Sequence, residues 1–121
     1  MRIYHATLNT LRGLTCAART EAAPRQEMVA LALALPCGAV IAPNISWYVA
    51  MIVSLLVLLA VELLNTAIER LADRVTMERD ARIGMVKDFG SAAVFCALCV
   101  AGLVWIAAAA VRFDLLSWAA S

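Results

Sequence analysis

Residues 47–61 run fifteen positions without a charge, and the chain then sets Glu62, Asn65, Glu69 and Asp73 at spacings of three and four. At about 100° per residue these four side chains fall within roughly 80° of one another, so on a helix they make one polar stripe. A helix rising about 1.5 Å per residue climbs about 22 Å over the uncharged run, which puts Glu62 near the inner edge of the hydrocarbon of a bilayer. An ionisable group at that depth costs on the order of 2–3 kcal/mol to insert and marks a functional site. A purely structural membrane helix would carry Leu and Ala there.

Composition agrees with lipid as the solvent. The 121 residues, enough for one domain, are 64% hydrophobic, and the mean hydropathy is +0.88, far above the roughly half-apolar norm of soluble domains. The net charge of +1 is uninformative, and nucleic acid is not an expected partner. The distribution of charge says more. Four of ten basic residues (Arg2, Arg12, Arg19, Arg25) lie near the N-terminus, five lie between positions 70 and 87, and none lies around 43–46. The positive-inside rule then places the N-terminus and the 70–87 connection in the cytoplasm and the C-terminus outside. No short apolar stretch follows the basic N-terminus, so no cleavable signal peptide is read. Cys96 and Cys99 form a CxxC inside an apolar helix without a second pair or a nearby histidine, which suits packing better than zinc or redox chemistry. Cys16, Cys37 and His5 receive no role.

In chain order, residues 2–20 alternate apolar positions with Arg2, Arg12 and Arg19 as an amphipathic surface helix would. Thr20 is a candidate cap for the next helix, and Pro24 is tolerated in a first turn. A first span is expected at about 25–42, kinked or shortened by Pro36 and Gly38. A tight turn at 43–46 leads into a second span at about 47–74, anchored by Trp47 and Tyr48. A charged connection, 75–85, precedes a third span at about 88–111. There Ala93, Ala97 and Ala101 make a small-residue seam, with Trp105 and Trp118 towards the outer side. The expected fold is an all-α membrane protein with three transmembrane helices and an N-terminal amphipathic surface helix.

The stripe limits the chemistry. Helical rise separates Glu62 from Glu69 by about 10 Å, too far to share one metal ion. Glu69 needs a second hard oxygen donor to hold magnesium, and Glu21, at the cytoplasmic start of the first span, is best placed. Glu62 can take a proton from a lipid hydroxyl, and Asn65 can orient either reactant. Lys87 can supply charge to a transferring phosphoryl group, with Asp88 beside it to orient the ammonium or touch a nucleotide. There is no GxxxxGK[ST] and no GxGxxG, so a nucleotide site must be assembled from scattered side chains. Phosphoryl transfer at a membrane surface fits this inventory; ion pairs that stabilise a helix bundle or its oligomer are the other reading.

At these residues the sequence closely resembles the bacterial membrane-integral diacylglycerol kinases. The matching motifs are EAAxRQE at 21–27, VELLNTAIE at 61–69 with Asp73 and Arg74 following, and KDFGSAAV at 87–94. The GSAAV ending is closer to the diacylglycerol kinases than to the undecaprenol kinases of the same family. The resemblance implies a homotrimer with shared sites in the bacterial inner membrane. It implies Glu62 as catalytic base, and a divalent metal, Mg2+, held by Glu21 and Glu69. Lys87, Asp88, Arg2, Glu78, Arg79 and Asp80 would contact ATP, as would Asn9, where the family commonly has an aromatic residue. Asn65, Ala23, Pro24, Arg25, Gln26, Glu27 and Ser91 would line the lipid and phosphoryl-transfer region, with Pro24 in place of a bulkier residue. The implied reaction phosphorylates diacylglycerol to phosphatidate. An undecaprenol kinase and a non-enzymatic membrane protein with structural acids are the alternatives. A transporter fits less well, because the polar residues gather at the inner edge and not at midplane.

Overall fold

The computed structural model describes residues 1–76, 78 and 80–114. Four helices follow one another: α1 (Arg2–Thr20), α2 (Ala22–Ile41), α3 (Ile45–Val75) and α4 (Ala81–Arg112). Trp118 and Arg79 lie outside the described residues.

In α1 the hydroxyls of Thr7, Thr10, Thr15 and Thr20 each donate to the carbonyl four residues earlier, at 2.8–3.0 Å. Thr20 is therefore not the cap of α2. The chain turns on the extended backbone of Glu21, which occupies the cap position without a side-chain cap bond. α2 seats Pro24 fully buried in its first turn and continues through Pro36. Its N-terminal third carries Arg25, Gln26 and Glu27, which shortens its apolar stretch. Among the described residues, α3 and α4 are the two helices long and apolar enough to cross a membrane. At about 46 and 48 Å they exceed the roughly 30 Å hydrocarbon core and must project beyond it.

Two side-chain caps set the helix starts. Asn44 accepts from the Trp47 backbone N–H at 3.0 Å. Asp80 accepts from those of Arg82 and Ile83 at 2.8 and 3.4 Å. The second cap starts α4 at Ala81, well before the position near 88 that hydropathy suggests, and reduces the α3–α4 connection to 76–80. A connection this short makes α3 and α4 antiparallel neighbours.

They meet along a seam in which Gly90, Ala97, Ala101, Ala108 and Val111 are buried and Ala93 is exposed. Spacings of seven, four, seven and three follow a heptad and not a uniform four-residue step, as expected for long helices crossing at a shallow angle. Leu58, Ala97 and Ala101 form the centre of the core, with Leu55 and Val61 against them. The remaining faces are apolar and outward: Leu33, Val40, Val53, Leu64, Phe95, Leu103 and Ile106 are all exposed. This is the inverse of packing in water and suits lipid or further protein helices.

Candidate active site at the inner ends of the helices

The polar stripe lies on one continuous helix, and its burial is graded. Glu62 and Asn65 are 7% and 8% exposed, Glu69 is half-buried and Asp73 is exposed. The stripe thus emerges from the bundle towards the C-terminal end of α3. Asn65 Nδ2 donates to Glu69 Oε1 at 3.2 Å, one turn along. From α2, Glu27 comes close enough to Glu62 for the two carboxylates to repel, and Glu69 acts on Glu62 in the same sense. From α4, Gly90 brings bare backbone against the Asn65 carboxamide. Three helices converge on Glu62 and Asn65.

Two buried oxygens here, Glu27 Oε2 and Asn65 Oδ1, have no hydrogen-bond partner. Leaving a buried acceptor unpaired costs about 1–3 kcal/mol, and such atoms are rare enough to need an explanation. Two buried acceptors left unpaired suit a ligand that brings hydroxyl protons or cationic charge.

Beyond the stripe, two ion pairs clamp the elements together. Arg70 donates through Nε and Nη2 to Glu21 Oε1 at 2.9 and 2.6 Å, and through Nη2 to Thr20 Oγ1 at 2.9 Å. This ties the α1–α2 joint to α3 next to Glu69. Lys87 Nζ lies 2.7 Å from Asp73 Oδ1. The group that orients Lys87 is thus Asp73, across the helix pair, and not its neighbour Asp88, which is exposed. Both pairs are open to solvent, where such pairs add little to stability, so their value is in placement.

Lys87 and Asp73 also line an open cleft of about 470 Å³ between the inner ends of α3 and α4, together with Thr76, Glu78, Asp80 and Gly84. Three of the candidate nucleotide residues, Lys87, Glu78 and Asp80, are therefore brought together. Arg2 and Asn9 do not line this cleft; both are exposed on α1, where Asn9 Oδ1 accepts from Arg12 at 3.2 Å. Arg25 bends back to donate to the Ala18 carbonyl at 3.2 Å, while Ala23, Gln26 and Ser91 are exposed and Pro24 is buried.

No group of three His, Cys, Asp or Glu side chains among the described residues could enclose a metal ion by itself. Magnesium seldom needs one, since it is commonly held by one or two carboxylates together with substrate phosphates. The sequence offers Glu21 and Glu69 for that place. Both are hard oxygen donors, and their contacts to Arg70 and Asn65 all fall on Oε1.

Asp73, Arg70 and Gly90 complete the site without having been singled out for these roles by the sequence. Gly90 had a legible signal, because a glycine deep in a helix is unfavourable and calls for a reason.

Residues 8–109 match the model of the family described as prokaryotic diacylglycerol kinase. Among similar proteins, the diacylglycerol kinase of Haemophilus influenzae is 38% identical over 103 residues, covering 85% of this chain and 87% of the relative. Those of Escherichia coli and Pseudomonas aeruginosa are 39% and 40% identical over 104 residues, in each case covering 86% of this chain and 85% of the relative.

Proposed function

This chain belongs to the prokaryotic diacylglycerol kinase family, and on that premise we propose that it moves the γ-phosphoryl group of ATP to the free hydroxyl of diacylglycerol, forming phosphatidate. The observation that carries the reading is the buried carboxylate of Glu62, set at the end of an apolar run of α3 where α2, α3 and α4 converge.

In this reading Glu62 is the general base. It accepts the proton of the lipid hydroxyl as that oxygen attacks the γ-phosphorus, and the bond from phosphorus to the β-phosphate bridging oxygen breaks to release ADP. Positioned base catalysis of this kind contributes about 10²–10⁴-fold. Lys87, held by Asp73, places an ammonium beside the phosphoryl group, where preorganised charge is most effective. Asn65 fixes the Glu69 carboxylate. Glu78, Asp80 and Asp88, with Arg79, Arg2 and Asn9, contribute contacts to the nucleotide. Ala23, Pro24, Arg25, Gln26, Glu27 and Ser91 border the lipid side. A magnesium ion held by Glu21 and Glu69 would supply positive charge to the phosphate oxygens.

The setting proposed is the cytoplasmic face of the inner membrane, with the N-terminus inside, α2 as a third span and a homotrimer sharing its sites. The outward apolar faces of α2, α3 and α4 support assembly within lipid.

The reading is tested by phosphoryl transfer from labelled ATP in mixed micelles with magnesium, offering diacylglycerol and undecaprenol in parallel. Preferred transfer to diacylglycerol is expected. Preference for undecaprenol would overturn the substrate, and transfer to neither lipid by folded protein would overturn the reaction.

A further inference from the structure

Gly90 sits inside a 32-residue helix, and no glycine among the described residues has the left-handed backbone that would require one. In a helix interior glycine is about 1 kcal/mol less favourable than alanine, so its presence needs a different cause. The other two glycines of α4, Gly84 and Gly102, face open space: a methyl group built on either meets nothing within 4 Å. At Gly90 the same methyl would overlap Asn65 Oδ1 and lie 3.2 Å from Asn65 Cγ and 4.0 Å from its Cβ. All three nearest obstacles belong to Asn65.

Asn65 has little room to yield. It is buried, its Nδ2 is engaged by Glu69 Oε1 at 3.2 Å, and its Oδ1 has no hydrogen-bond partner. Oδ1 instead faces the Cα–H of Gly90, a weak contact that recurs where helices approach closely. The carboxamide is thus wedged between the α4 backbone and Glu69. A side chain at position 90 would either rotate the carboxamide and break its bond to Glu69, or push α4 away from α3.

We infer that Gly90 is a positioning residue for phosphoryl transfer: its bare backbone seats the Asn65 carboxamide, so that Nδ2 holds Glu69 and the amide stands one turn from Glu62. The inference deepens the kinase reading and rests on it. Gly90 touches no reactant in this scheme and acts only through Asn65, which makes a double-mutant cycle the decisive test.

The experiment compares wild type, Gly90→Ala, Asn65→Ala and the Asn65→Ala/Gly90→Ala pair in the full-length protein, with Gly102→Ala as control. Both kcat and the KM for ATP are measured with labelled ATP, and folding is followed by thermal unfolding. Gly90→Ala is expected to lower kcat by about tenfold or more, as small misplacements of catalytic groups do, and to raise the KM for ATP, because the bond that holds Glu69 is lost. In the Asn65→Ala background the same substitution should change kcat by less than about twofold, because the overlapping group is gone. Gly102→Ala should leave kcat unchanged.

Wild-type kcat in Gly90→Ala, or equal losses in both backgrounds, would overturn the inference. If Gly90→Ala alone fails to fold, the pair decides. A folded pair with the kcat of Asn65→Ala supports the seat, and an unfolded pair refutes it. Wild type inactive on both lipids would remove the kinase reading and this inference together, whereas an active wild type without coupling removes this inference alone.

Discussion

The outer and inner halves of α3 pack against the same partner helix but treat their polar groups in opposite ways. In the outer half, Met51, Ser54 and Leu58 are buried, and the polar contacts close within the helix pair. Ser54 Oγ donates to the Met51 carbonyl at 2.7 Å, and Trp105 Nε1 donates to the same oxygen at 3.1 Å. In the inner half, Glu62 and Asn65 are as deeply buried, yet Asn65 Oδ1 and the neighbouring Glu27 Oε2 are left without partners. The outer half satisfies its buried polar groups within the bundle; the inner half leaves two acceptor oxygens unpaired.

Substitutions in the two halves should therefore separate activity from stability. The largest effect is expected at Glu62, where Glu62→Gln should reduce turnover by about 10²–10⁴-fold without lowering the unfolding midpoint, because it removes a buried charge and keeps the shape. Retained turnover, or a large loss of stability, would erase the contrast. Next comes Glu69→Gln, which should weaken magnesium-dependent ATP binding by about 10–100-fold, the usual scale for altered metal-site groups; titration with a fluorescent ATP analogue at varied magnesium checks it. In the outer seam, Ala101→Leu should destabilise the fold by about 1–3 kcal/mol through overpacking, measured by unfolding in detergent, with little change in the KM for ATP. The smallest effect belongs to Arg70→Gln, where losing an exposed pair with Glu21 should leave the unfolding midpoint nearly unchanged. A larger loss there would mean that the α1–α2 joint depends on this clamp.

How far the sequence anticipates this contrast differs from residue to residue. The helical character of all four elements and the shared face of Glu62, Asn65, Glu69 and Asp73 follow from periodicity, since a 3.6-residue repeat leaves a strong trace over 31 residues. The start of α4 does not follow, because Glu78, Asp80 and Arg82 read as a charged connection while the deciding event is the local cap at Asp80. The orienting partner of Lys87 is equally hidden. Asp88 is adjacent in sequence but about 100° away around the helix, whereas Asp73 meets Lys87 only after α3 and α4 pack. The seam register shifts from the Ala93, Ala97, Ala101 step to Gly90, Ala97, Ala101 and Ala108 for the same reason, as a long helix pair selects a heptad that short-range spacing cannot reveal.

The central claim is that Glu62 performs chemistry while Glu69 serves the nucleotide. It is tested most directly by measuring magnesium-ATP affinity and single-turnover transfer to diacylglycerol on the same sample of Glu62→Gln protein. The account predicts nucleotide affinity within about twofold of wild type alongside a transfer rate lowered by at least about a hundredfold. Loss of ATP binding in step with turnover, or transfer at the wild-type rate, would contradict it.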